Sequence, residues 1–176
     1  MARPRATRAA RRRRARTAGL IGGGLVAGGI AGTVLLLYLM LAAPLFWSQS
    51  IWSPLYAIAS PLVGVGPLVA STQRALFLSW PAIWIGALLH LAWSALAGVL
   101  FGLAVRRWRL AGRRAVGWGV LYGLAAMAGT TLVVAPLAGA APLASVVGWP
   151  LLAVGHAMFG FVLGHWPLAR PDDFAR

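Results

Sequence analysis

The amino-acid sequence predicts an all-α integral membrane protein, a four-helix bundle with both termini on the inner side of the membrane. Hydrophobic residues make up 60% of the chain and charged residues only 10%, whereas a soluble domain is about 25% charged. Four apolar stretches have the length of a membrane-crossing helix, which needs about 20 residues. Arginines stand almost only at the ends of these stretches.

The length of 176 residues accommodates one membrane domain, which we place at residues 18–168. A basic cytoplasmic arm, residues 1–17, precedes it, and a polar cytoplasmic tail, residues 169–176, follows it. The predicted spans are residues 18–45, 81–105, 115–137 and 149–168.

Residues 51–70 are also apolar, but Pro54, Pro61 and Pro67 interrupt them. A fifth crossing here would place the arginine-rich hinge, residues 106–114, on the outer side. We therefore expect one or two short helices in the outer interface, or a shallow re-entrant element buried against the bundle.

Four spans put every arginine except Arg74 on one side of the membrane, and the positive-inside rule makes that side cytoplasmic. We expect a multi-pass protein of a prokaryotic cytoplasmic membrane, whose arginines contact anionic headgroups of the inner leaflet. The basic arm has no interleaved aromatic residues, so nucleic acid is not favoured as a partner. The predicted headgroup contacts are Arg11, Arg12, Arg13, Arg14, Arg106, Arg107, Arg109, Arg113 and Arg114.

Small residues recur at helical spacing in every span, a pattern that lets helix backbones approach closely in lipid. These ladders offer more close-packing faces than one small bundle needs, which favours association with a second copy or with other membrane subunits. The predicted helix-packing residues are Gly24, Gly28, Gly32, Ser94, Gly98, Gly102, Gly119, Gly123, Gly160 and Gly164.

The two halves of the chain resemble each other, which suggests a tandem hairpin repeat over residues 11–107 and 106–170. Each half has a basic cluster, a glycine-rich span, Ala-Pro-Leu, an outer loop, Trp-Pro and a histidine followed by small residues. The histidine lies ten residues after its tryptophan in the first half and seven in the second. The alternative is four independent helices that each need small residues to pack.

Catalysis is not expected, because no acid lies in any predicted span and the chain has no cysteine. The membrane-embedded polar residues are His90, Ser94, Thr130, Thr131 and His156, with His165 nearer the inner edge. His90 and His156 lie about 15 Å and about 10 Å below the outer tryptophans, so they have similar depth. They could be axial ligands of a b-type haem or hold a chlorin; the alternative is a hydrogen bond from each to a neighbouring helix.

Three functions therefore stay open. The first is a non-enzymatic accessory or assembly subunit, or a homo-oligomeric membrane component, without a cofactor. The second is an electron carrier with haem b or a pigment held by His90 and His156. The third is a small-solute transporter or channel, formed by oligomerisation, whose path is lined by Thr130, Thr131 and the histidines.

Overall fold

A computed structural model describes residues 4–74 and 76–169, and this part of the chain is helical without a strand. The all-α prediction is confirmed. The elements are α1 (Pro4–Trp47), α2 (Ser53–Val63), α3 (Gly66–Gln73), α4 (Trp80–Trp108), α5 (Arg113–Gly129), a π-helical segment (Thr130–Val134), α6 (Ala135–Leu137), α7 (Leu143–Val147) and α8 (Trp149–Ala169).

Three helical stretches are long and apolar enough to cross a membrane, which confirms the predicted membrane-spanning character of the chain. They are Thr17–Phe46, Trp80–Trp108 and Arg113–Leu137, with mean hydropathies of 2.2, 2.0 and 1.8. The predicted fourth span corresponds to α8, which has 21 residues but is not one of these three. A fourth crossing, and with it the orientation of the chain, stays a prediction.

Residues 51–70 contain two short helices, α2 and α3. At 1.5 Å per residue the 11 residues of α2 extend about 16 Å, which is too short to cross a bilayer core of about 30 Å. Proline stands in the first turn of each helix, where its missing N–H does no harm. The side chain of Tyr56 is fully buried, and its hydroxyl donates to the Phe77 carbonyl (3.1 Å) and accepts from the Ser79 N–H (3.0 Å). These bonds fix α2 against the segment that leads into α4.

Helices α1 and α4 form an antiparallel pair whose backbones touch through glycines. A Cβ atom added to Gly24 would lie 2.7 Å from the Cα of Val99, and one added to Gly28 would lie 2.9 Å from the Cα of Ala95. Real Cβ atoms are not found this close to another atom. Only glycine therefore permits this approach.

Helices α5 and α8 form a second antiparallel pair of the same kind. A Cβ on Gly119 would lie 2.9 Å from the Cα of Gly164, and one on Gly123 would lie 3.0 Å from the nitrogen of Gly160. Gly160 and Gly164 are blocked in turn by Val120 and Val116 on α5. The small residues of α5 thus pack directly against those of α8.

The two pairs meet through α1 and α8, whereas α4 packs little against α5 or α8. Gly155 of α8 accommodates the side chains of Leu35 and Tyr38. Further along, the ring of Trp166 covers Gly102. Trp166 is only 7% exposed, because its ring fills the space beside Gly102 instead of pointing outward.

The antiparallel packing brings the start of α1, the end of α4, the start of α5 and the end of α8 to one end of the molecule. The side chains of Arg106, Arg107, Arg109, Arg113 and Arg114 are exposed at this end. Between them, the rings of Trp108 and Trp118 lie 6.0 Å apart. Arg74, which follows α3, is at the opposite end. The side chains of Arg11–Arg14 lie outside the described residues.

The contacts within the two helix pairs occur at equivalent positions of the two halves of the chain. Gly32 lies against Ser94 and near His90, and Gly123 lies against Gly160 and the His156 carbonyl. Ala-Pro-Leu follows eleven residues after the first of these glycines and twelve after the second. The π-helical segment lies within the longer interval, and one π turn contains one residue more than an α turn. The tandem repeat stays a prediction, and a shared register is what a duplicated hairpin would produce.

A proline follows the π-helical segment. Pro136 has no N–H, and the N–H of Ala135 before it bonds to the Thr130 carbonyl, five residues back. A proline alone does not impose this geometry, because Pro44 of the same Ala-Pro-Leu motif lies within the continuous helix α1.

We predict that alanine has different effects on stability at two adjacent glycines of α1. Gly28→Ala should destabilise the protein by about 1–3 kcal/mol, the typical cost of overpacking, because the new methyl group meets the α4 backbone. Gly29 has no atom within 4 Å of its Cβ position, so Gly29→Ala should be neutral or slightly stabilising through helix propensity. Unfolding in mixed micelles measures both. Equal stability of the two variants would contradict the packing of α1 on α4.

Candidate functional site

A cavity of about 320 Å³ lies between the long helices, towards the end of the molecule opposite the arginine-rich hinge. Its size is at the lower end for sites that bind drug-sized molecules, about 300–1,000 Å³. Residues of α1, α2, α4, α5, the π-helical segment and α8 contribute to its wall.

The cavity gathers the polar residues that the sequence places at membrane depth. Only His165 of that set is elsewhere, exposed on α8 and packed on Phe161. The rest of the wall is almost entirely apolar, with side chains such as Leu35, Leu39, Ala97 and Phe159. The polar members of the wall are His90, Trp93, Ser94, Thr130, Thr131 and His156.

Other side chains border the cavity at both ends along the helix axes. Towards the arginine-bearing end, the buried ring of Phe101 lies 5.3 Å from that of Tyr122, and the Tyr122 hydroxyl donates to the Ala97 carbonyl (2.8 Å). Towards the other end, α2 covers part of the cavity, and the Ser60 hydroxyl accepts a bond from the Ala141 N–H (2.6 Å). Leu62 of the same helix lines the cavity but is exposed.

The cavity opens sideways, between α4 and the π-helical segment. These elements pack little on each other, and the wall residues Leu89, Trp93 and Val134 are exposed on this side. The indole N–H of Trp93 donates to the Thr130 hydroxyl (3.2 Å) and bridges the opening. Trp93 stands near the middle of α4, so the opening lies at the depth of the lipid chains if α4 crosses the membrane.

Each of the two cavity histidines is held through one ring nitrogen. The Nε2 atom of His90 lies 2.9 Å from the carbonyl oxygen of Gly32 on α1. The Nδ1 atom of His156 lies 2.9 Å from the carbonyl oxygen of Leu152, one turn earlier on α8. The first bond joins two helices, and the second only fixes the ring on its own helix.

These bonds constrain the haem or chlorin hypothesis. His90 and His156 line the same cavity, as two axial ligands would. However, His90 could ligate through Nε2 only after releasing Gly32. Within the described residues there is no group of three or more histidine, cysteine or acidic side chains that could hold a metal ion.

The predicted helix-packing residues lie against other parts of this same chain. Gly24, Gly28 and Gly32 contact α4, the α5 and α8 glycines contact each other, and Gly102 lies under Trp166. The ladders therefore supply no surplus face that would argue for association. Binding to itself or to other membrane subunits stays a prediction.

Trp93 and the α2 residues of the cavity wall were not singled out from the sequence. An exposed tryptophan in a span resembles any lipid-facing aromatic residue. Its hydrogen bond to Thr130 joins residues 37 positions apart. No local pattern predicts such a pairing.

Comparisons with models of protein families, with curated proteins and with solved structures found no match to this chain.

We predict that Trp93 and Thr130 are energetically coupled across the opening. Trp93→Phe and Thr130→Val each remove one partner of the bond while keeping similar shape. A double-mutant cycle of unfolding free energies should give a coupling of about 0.6 kcal/mol, the average for hydrogen bonds between membrane helices. Trp84→Phe with Thr130→Val is the control pair, because Trp84 is exposed and outside the cavity wall. Equal coupling in both cycles would argue against the bridge.

Proposed function

We propose that this chain is a non-enzymatic membrane protein that binds a lipid-soluble molecule in its central cavity. The observation that carries the proposal is the cavity itself: an apolar chamber with a few converging polar groups and a lateral opening. Binding sites for small molecules have this composition. A molecule dissolved in the bilayer could enter between α4 and α5 without passing through water.

The proposal includes a four-helix bundle with α8 as the fourth span and both termini in the cytoplasm. The exposed arginines at one end of the molecule support this orientation, since cytoplasmic ends carry the excess of arginine and lysine. They also suit contact with anionic headgroups, each such charge contributing about 1 kcal/mol.

One feature favours a binding pocket over a solute channel. The aromatic pair of Phe101 and Tyr122 fills the space between the cavity and the arginine-bearing end. A channel would need this pair to move, whereas lateral entry would not.

We predict that filling the cavity weakens binding. Ala126 lines the cavity and its neighbour Ala125 is exposed on the outer face of α5, so Ala125→Phe is a matched control for Ala126→Phe. Native mass spectrometry in mild detergent, with analysis of the organic extract, should show a bound small molecule in the wild type and in Ala125→Phe. In Ala126→Phe its occupancy should fall about tenfold, consistent with an overpacking cost of about 1–3 kcal/mol.

A wild-type protein that carries no bound molecule, or equal occupancy in both variants, would overturn the proposed function. The visible spectrum of the same samples tests the haem alternative. A Soret band that disappears in a His156→Ala variant would assign the cavity to a haem instead.

We predict opposite labelling of two single cysteines, which the cysteine-free chain makes simple to introduce. Leu76, 96% exposed, follows α3, and Ala111 is exposed in the arginine-rich hinge. An impermeant maleimide should label Leu76→Cys in intact cells and Ala111→Cys only after lysis. Labelling of Ala111→Cys in intact cells would reverse the proposed orientation.

A further inference from the structure

The hydrogen bonds of the two histidines determine what the cavity can bind. A carbonyl oxygen only accepts hydrogen bonds, so the nitrogen that faces it must carry the proton. His156 is therefore protonated at Nδ1, towards Leu152, and His90 at Nε2, towards Gly32. In a neutral imidazole the other nitrogen is an acceptor. The pair thus contributes two acceptors, Nε2 of His156 and Nδ1 of His90.

The surroundings favour the neutral form of both rings. No carboxylate lines the cavity, and the only acids of the chain, Asp172 and Asp173, lie outside the described residues. An unpaired charge in an apolar site is costly. Both rings are therefore treated as neutral acceptors.

The threonines contribute hydroxyl groups to the same cavity wall. Thr130 accepts the bond from Trp93, which leaves its own O–H proton to donate. In the described chain no hydrogen bond is formed by the Thr131 hydroxyl, and none joins either threonine to a histidine. The cavity therefore combines unused imidazole acceptors with hydroxyls that can donate.

We infer that the ligand is a neutral amphiphile with a hydroxyl head group, such as a long-chain alcohol. This inference rests on the proposed function. The ligand hydroxyl donates to Nε2 of His156 and accepts from the Thr131 hydroxyl. Its carbon chain lies along Leu35, Leu39 and Phe159 and leaves through the opening beside Trp93.

Other head groups fit this arrangement less well. An ether, ester or ketone has only acceptors, so the imidazole lone pairs would stay unpaired, and an unpaired buried polar group is costly. A carboxylate or phosphate anion would face those lone pairs and lose its hydration without a positive partner. An alkane would leave the unprotonated imidazole nitrogens and the Thr131 hydroxyl without a partner.

A matched pair of probes tests the inference: 1-decanol and its methyl ether, added to the purified full chain in mild detergent. Their affinities are measured by thermal stabilisation, which rises with ligand occupancy. We expect 1-decanol to bind about tenfold tighter, since one hydrogen bond contributes about 0.5–1.5 kcal/mol and a tenfold ratio is about 1.4 kcal/mol. The chain has only 3 histidines, so ¹⁵N NMR of the imidazoles can follow the unprotonated nitrogens directly. 1-Decanol should shift the His156 Nε2 signal, and the ether should not.

The variants separate head-group recognition from folding. His156→Leu should abolish the preference for 1-decanol over the ether. His165→Leu should retain it, because His165 makes the same bond one turn back, to the Phe161 carbonyl, but lies outside the cavity. Thr131→Val, which keeps the side-chain shape, gives a second test if His156→Leu does not fold, and it should also weaken the preference.

Two negative results have different meanings. If both probes bind equally and Ala126→Phe excludes both, the cavity binds lipid-soluble molecules but the hydroxyl inference is wrong. If neither probe binds to the wild type, the proposed function and the inference both fail.

Discussion

The close approach of helix backbones at glycines is the constraint on which the rest of this structure depends. Water-excluding forces do not drive helices together within lipid, so packing must come from close contact. In α1–α4 and α5–α8 the contact runs from backbone to backbone, and any side chain at Gly28 or Gly119 would separate the helices. Each pair is therefore tight, and its interface contains no room for a ligand.

The cavity follows from how these two tight pairs meet. They join along α1 and α8, where larger side chains such as Leu35 and Tyr38 pack on Gly155. Helices α4 and α5 are left apart on the other side. The space between them is bordered by α2 and by residues 138–143, and Trp93 bridges its opening. The wall of this space has polar residues that can form hydrogen bonds with a bound molecule. A simple packing defect would have only apolar walls.

The π-helical segment belongs to this site. It precedes Pro136, and its first two residues, Thr130 and Thr131, stand in the cavity wall. π-Bulges frequently occur at functional sites. The segment thus contributes two of the few polar side chains of the wall.

Composition alone determined that the chain is helical and has segments apolar enough to cross a membrane, since such stretches have no other stable form in lipid. The small-residue spacing also indicated which faces of α1, α4, α5 and α8 pack closely, and the depth of His90 and His156 suggested that they could share a site. The sequence could not determine which ladder pairs with which, because all of them have the same chemistry. Tertiary structure alone decided that the ladders are filled within one chain, that Trp166 turns inward onto Gly102, and that Trp93 meets Thr130. These outcomes depend on how two helix pairs rotate and dock, and no local pattern in the sequence records that geometry.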